Sequence, residues 1–193
     1  WLRDGNRIVL PAGEGHAELE WATAASFRFV RDPGGAAGLA PLNREAVDIE
    51  VTDTGSALIL RSRHLSVRIR TGDLRLTVDD ASGERLLEQT SGPKTGDGLT
   101  VFEHAASPEE KFFGLGTVSS AGSLDRRGSA IETNRPFLIS SAGYGMFLVK
   151  PEAAALDLAK ANPKRVRIAG KGDRVEFLFY YGPTPKEVLE QHF

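Results

Sequence analysis

The dominant pattern along the chain is alternation with a period of two. Val47, Ile49 and Val51 alternate with Asp48 and Glu50; Leu65, Val67 and Ile69 alternate with Ser66, Arg68 and Arg70; Leu74, Leu76 and Val78 alternate with Arg75, Thr77 and Asp79. Successive side chains of a strand point to opposite faces, so this pattern predicts strands with one face on a core and one in water. Asp53-Thr54-Gly55-Ser56, Thr71-Gly72-Asp73 and Asp80-Ala81-Ser82-Gly83 supply residues tolerant of positive φ. They predict short hairpins joining the strands from Val47 to Leu87. Phe27–Phe29, Leu156–Leu158, Val166–Ile168 and Val175–Phe179 read as further strands. Many short strands with frequent turns define an all-β sandwich or barrel. Two stretches interrupt the pattern and read as flexible loops: Asp32 to Gly38, and Thr90 to Gly98 with three glycines and a proline.

Helix signals are few. Ser107-Pro108-Glu109-Glu110 and Thr184-Pro185-Lys186-Glu187 both have the capping-box form, a hydroxyl cap with Glu three residues on and Pro at the first helical position. The first meets Phe112 and Gly114 at once and predicts a single turn. The second opens the one real helix expected, Thr184–Phe193, with Leu189 and Phe193 on one apolar face. A helix ending on that face reads as one whose packing partner lies beyond the sequence. The opening Trp1-Leu2-Arg3-Asp4, without Met, likewise suggests a processed or trimmed start.

Composition narrows the function classes. The 193 residues hold Lys+Arg 24 against Asp+Glu 26, a net charge of -2, so no basic excess points to nucleic acid or an anionic membrane. There is no Cys, hence no disulfide framework and no thiolate metal site. The longest uncharged stretch, Pro136 to Val149, is too short to span a bilayer as a helix. The length excludes a (β/α)8 barrel within the chain, since that fold takes about 250 residues. His16, His64, His104 and His192 show no metal-ligand spacing and read as surface or strand-end residues; no metal or cofactor is expected. Asp79-Asp80 and Glu109-Glu110 read as solvated carboxylates. There is no nucleophile elbow, and Phe113-Gly114-Leu115-Gly116 lacks the surroundings of a phosphate cradle. The one polar cluster between apolar runs is Ser119 to Arg135. Its candidates for binding substrate are Asp125, Arg126, Glu132, Asn134 and Arg135.

Four ordered segments carry a resemblance. Phe112-Phe113-Gly114-Leu115-Gly116 resembles the Phe-Phe/Tyr-Gly-Leu-Gly-Glu motif of glycoside hydrolase family 31, the α-glucosidase and α-xylosidase family. Leu124-Asp125-Arg126-Arg127-Gly128, Pro136 to Phe147, and Tyr180-Tyr181-Gly182-Pro183-Thr184-Pro185-Lys186-Glu187-Val188-Leu189 are similar to three later motifs of that family. The resemblance implies a galactose-mutarotase-like β-sandwich over residues 1–182. It implies that residues 183–193 lead towards a catalytic (β/α)8 barrel of the same protein, which would carry both catalytic carboxylates. No catalytic residue is therefore expected here. The parent reaction implied is retaining hydrolysis of α-linked sugars. The partners implied are carbohydrate and the barrel, and the Ser119–Arg135 loop is the segment that could reach the substrate pocket. Thr117 stands where the family has Glu, and Ile131-Glu132-Thr133-Asn134 lacks the family's Trp. Two other readings stay open. A stand-alone carbohydrate-binding module would need an exposed aromatic platform. A sugar epimerase would need a His and a carboxylate as acid and base.

Overall fold

The computed structural model describes residues 1–13, 15–32, 42, 45–116, 123–149 and 154–192. Their strands run in the order β1 (Leu2–Asp4), β2 (Arg7–Ala12), β3 (Gly15–Thr23), β4 (Ser26–Asp32), β5 (Glu50–Asp53), β6 (Ala57–Arg61), β7 (Leu65–Arg70), β8 (Leu76–Asp80) and β9 (Arg85–Gly96). They continue with β10 (Leu99–Ala105), β11 (Phe112–Gly114), β12 (Ser129–Thr133), β13 (Phe137–Ser140), β14 (Tyr144–Leu148), β15 (Ala154–Leu158), β16 (Arg165–Lys171) and β17 (Val175–Tyr181). One helix, α1 (Pro185–His192), ends the described chain. The strands form two antiparallel sheets. One has eight strands in the order β1-β2-β3-β4-β17-β14-β13-β11, the other nine in the order β12-β15-β16-β10-β9-β8-β7-β6-β5.

The alternating positions of β6 to β8 bury Leu58, Leu60, Leu65, Val67, Ile69, Leu76 and Val78 against the facing sheet. That face meets an aromatic layer. Phe29 pairs with Phe177 and Phe27 with Phe179 across β4 and β17, with ring centroids 5.4 and 5.0 Å apart. Phe102, from the nine-stranded sheet, reaches Phe177 at 5.4 Å, so the ring stack crosses the sandwich. Trp21 and Tyr144 extend the layer sideways onto Phe27 and Phe179.

The Thr90–Gly98 segment is not a loop. β9 runs through it, and only Asp97-Gly98 forms the turn to β10. The irregular composition is absorbed by two bulges: pairing steps from Val101↔Lys94 to Glu103↔Ser91 and then to His104↔Gln89. Pro93 falls inside the first bulge, where its missing N–H costs no ladder bond. Gly92 is required there, because a Cβ would sit 1.6 Å from the Asp73 carbonyl oxygen. The other predicted loop, beyond Asp32, lies outside the described residues.

The Ser107–Glu110 box forms a turn rather than helix, closed by Glu110 N–H to Ser107 O (3.2 Å) and Ser107 N–H to Glu110 Oε2 (3.1 Å). The Thr184 box is complete: Thr184 N–H donates to Glu187 Oε2 (3.0 Å) and Glu187 N–H to Thr184 Oγ1 (3.3 Å). The expectation that α1 lacks a partner is corrected in part. Val188 is fully buried with Ile139 and Tyr180 on the outer face of the eight-stranded sheet. His192 stacks on Phe137 at 4.4 Å, its Nδ1 2.9 Å from the Tyr180 hydroxyl. Leu189 stays 37% exposed, and Phe193 lies outside the described residues.

Two further expectations fail for one reason, which is that polar groups are covered by elements distant in the sequence. His104 is fully buried, and Glu110 is buried rather than solvated. On the outer face of the eight-stranded sheet Glu18, Glu20 and Arg28 are also buried. Arg28 pairs with Glu20 and approaches Glu176 at 3.9 Å, while the Leu42 N–H caps Glu20 (2.9 Å).

Candidate functional site

The two sheets each end in a short strand on the same side of the sandwich, β11 in one and β12 in the other. The Phe112–Gly116 motif crosses between them. Gly114 adopts φ +90, and a Cβ there would lie 2.4 Å from the Phe137 carbonyl oxygen, so only glycine fits. Beyond it Leu115 N–H donates to that same oxygen (2.9 Å). From the other side Thr133 Oγ1–H donates to Leu115 O (3.3 Å) and accepts from Arg135 N–H (2.9 Å). The two segments enclose a surface concavity of about 690 Å³ lined by Leu115, Gly116 and residues 131–135.

The five candidate residues separate into two groups. Glu132, Asn134 and Arg135 are exposed and line the concavity. Asp125 and Arg126 belong to its frame. Asp125 Oδ1 accepts from Phe112 N–H (3.1 Å) and Arg127 N–H (2.9 Å), and the buried Arg126 donates its N–H to Phe112 O (2.7 Å). Arg127 reaches the carbonyls of Glu110 (3.0 Å) and Pro163 (2.6 Å), and Gly128 N–H bonds Leu158 O (2.7 Å). The Leu-Asp-Arg-Arg-Gly step thus fastens the edge of one sheet to the other. Leu115, Ile131 and Thr133 join the lining; the glycine-rich motif was the signal for Leu115, and the Ile131-Glu132-Thr133-Asn134 stretch holds the other two.

Below this edge Glu110 Oε1 accepts from Ser140 Oγ (2.5 Å) and from Tyr144 OH (3.0 Å). Burial, reinforced by the Glu110 charge, pushes the Tyr144 hydroxyl well above its ordinary range. The epimerase reading meets a sealed site here: His104 is 0% exposed and Glu110 6%, so no sugar ring reaches the pair. The binding-module reading keeps one of its two tryptophans. Trp21 is fully buried, and the half-exposed Trp1 holds its indole N–H on Asp53 Oδ2 (2.8 Å). Among the described residues no group of three or more His, Asp or Glu side chains could hold a metal ion. A second concavity, about 770 Å³ and lined by acidic Glu45, Asp48 and Glu50 and basic Arg61 and Arg63, lies between the β3–β4 turn and β6.

Fold and edge together define a two-sheet, galactose-mutarotase-like sandwich. The family model of the glycosyl hydrolase 31 N-terminal galactose mutarotase-like domain matches residues 9–134. The chain belongs to that family. It is 26% identical to the alpha-xylosidase XylQ of Lactiplantibacillus pentosus, over 76% of this chain and 21% of that protein. It is 31% identical to an alpha-xylosidase of Emericella nidulans over 49% of this chain and 14% of that one. A Flavobacterium johnsoniae dextranase of the same family, complexed with isomaltotriose, superposes with a TM-score of 0.87 at 18% identity, covering 98% of this chain and 26% of that one. An alpha-xylosidase from a soil metagenome, complexed with xylose, gives 0.82 at 16% identity, over 99% and 33%. The chain thus spans about a fifth of XylQ's length. The family match brings in residues 9–60, to which the motifs alone gave little weight.

Proposed function

We propose that residues 1–182 are the non-catalytic N-terminal sandwich of a hydrolase acting on α-linked sugars, α-xylosides foremost. Residues 183–193 then begin the connection to a catalytic barrel that the sandwich braces. The observation that carries this reading is the family match over residues 9–134, a stretch that occupies a minor part of the relatives. The edge chemistry is consistent with it. Glu132 is the one carboxylate lining the concavity among the described residues, whereas retaining hydrolysis takes two facing carboxyl groups about 5 Å apart. Asn134 and Arg135 bring an amide and a guanidinium, which suit sugar hydroxyls in the outer part of a pocket whose reacting groups come from the barrel.

The test uses the protein with its downstream sequence. Asn134→Ala and Arg135→Ala should each raise KM for an aryl α-xyloside about 3–10-fold with kcat little changed, the pattern of lost uniform binding. Unchanged KM in both variants would remove the loop from the substrate pocket and leave bracing as the domain's role.

A further inference from the structure

One histidine lies in the interior of the sandwich. His104 on β10 is fully buried, and its Nδ1 sits 3.0 Å from the Ala105 carbonyl oxygen. Only an N–H satisfies a carbonyl, so the neutral ring carries its proton on Nδ1 and presents a lone pair at Nε2. Among the described residues Nε2 has no hydrogen-bond partner. The ionisable groups that face the ring are Tyr144 of β14, edge-on at 6.2 Å, and Glu110 of the turn before β11. Its cross-strand neighbours, Gln89 on β9 and Val166 on β16, are uncharged.

This cluster is directly tied to the edge that shapes the concavity. The Glu110 carboxylate holds Ser140 and Tyr144, and the Glu110 carbonyl holds Arg127. Two residues on, Phe112 holds the Asp125–Arg126 segment through both its N–H and its carbonyl. We propose that His104 makes this edge an acid-sensitive latch: β11 and the Asp125–Gly128 segment stay closed while the ring is neutral, and open as it takes a proton. A protonated ring would bury a charge and a new donor at Nε2 where no acceptor is bonded, so protonation favours the open form.

Burial holds the imidazole below its ordinary value, and the Ala105 carbonyl and the Glu110 charge offset part of that. The open form, with a ring pKa near 6.5, therefore binds more protons than the closed one. Closure is at full strength above about pH 6.5 and weakens as pH falls below it. The open-to-closed ratio therefore rises from pH 7.5 to pH 5, with about thirtyfold as the upper limit, set by a closed ring that takes no proton at all.

The experiment is amide hydrogen exchange on the 193-residue chain, corrected for intrinsic rates. Protection at Phe112, Arg126 and Gly128 should fall over that pH range, by up to about thirtyfold, while protection at Ser62, whose N–H bonds Leu65 O, should hold. His104→Gln should abolish the fall and Glu110→Gln should retain it. A fall of equal size at Ser62, no fall at the edge, or the same fall in His104→Gln overturns the proposal. If His104→Gln does not fold, the ring is titrated by NMR in the unaltered chain. Protonation in step with lost edge protection supports the latch, and a ring still neutral when protection is gone overturns it.

Discussion

Replacing Gly114 by alanine tests the physical reading of the glycine-rich motif. An alanine held at φ +90 carries a backbone penalty of about 1–2 kcal/mol. Its Cβ would lie 2.4 Å from the Phe137 carbonyl oxygen, a backbone atom that cannot swing aside. β11 must then move off β13, where Gly114 pairs with Leu138, at an overpacking cost of about 1–3 kcal/mol. The Leu115 N–H bond to the same oxygen, 2.9 Å long, is strained with it, at about 1 kcal/mol. Together these cost about 3–6 kcal/mol, measured as a lowered urea midpoint at constant slope. Gly98→Ala is the control, because Gly98 has φ +69 and open space within 4 Å of where the added methyl would sit. It should cost only the backbone part, roughly 1–2 kcal/mol. Equal losses in the two variants would refute the close-approach argument.

Val188→Ala should destabilise the chain by about 1–3 kcal/mol, since it removes two methyl groups from a fully buried site, whereas Leu189→Asp on the exposed side of α1 should change the urea midpoint little. Glu110→Ala should cost about 3–5 kcal/mol by leaving the Ser140 and Tyr144 hydroxyls and the Ser107 N–H without their acceptor; Glu110→Gln, which keeps an oxygen, should cost clearly less in the same melt.

The sheets were legible in the sequence wherever one face is wet, because β7 and β8 alternate, whereas β6 is an apolar run buried at four successive positions. The Thr184 box marked the start of α1 for a similar reason, as its bonds are local. What failed was long-range. Thr90–Gly98 looks like a loop until the bulges of β9 and the nearby Asp73 backbone account for its glycine and proline. His104 and Glu110 look ordinary until β14 and the Ser107 turn close over them. Glu18, Glu20 and Arg28 sit on the outward side of their strands, where alternation predicts water, yet they are buried and paired. The candidate site was half legible. The Ser119–Arg135 span contains both the exposed residues of the concavity and the residues that hold its frame. Only the bonds of Asp125 and Arg126 to Phe112 separate the two.

The central claim is that this sandwich serves a catalytic centre it does not itself contain. The direct measurement is turnover of aryl α-xyloside and α-glucoside by the purified 193-residue chain, alongside the same chain extended through its downstream sequence. The account predicts no turnover by the first and retaining hydrolysis by the second. Turnover by the 193-residue chain, abolished by a single Asp or Glu substitution within it, would contradict the account.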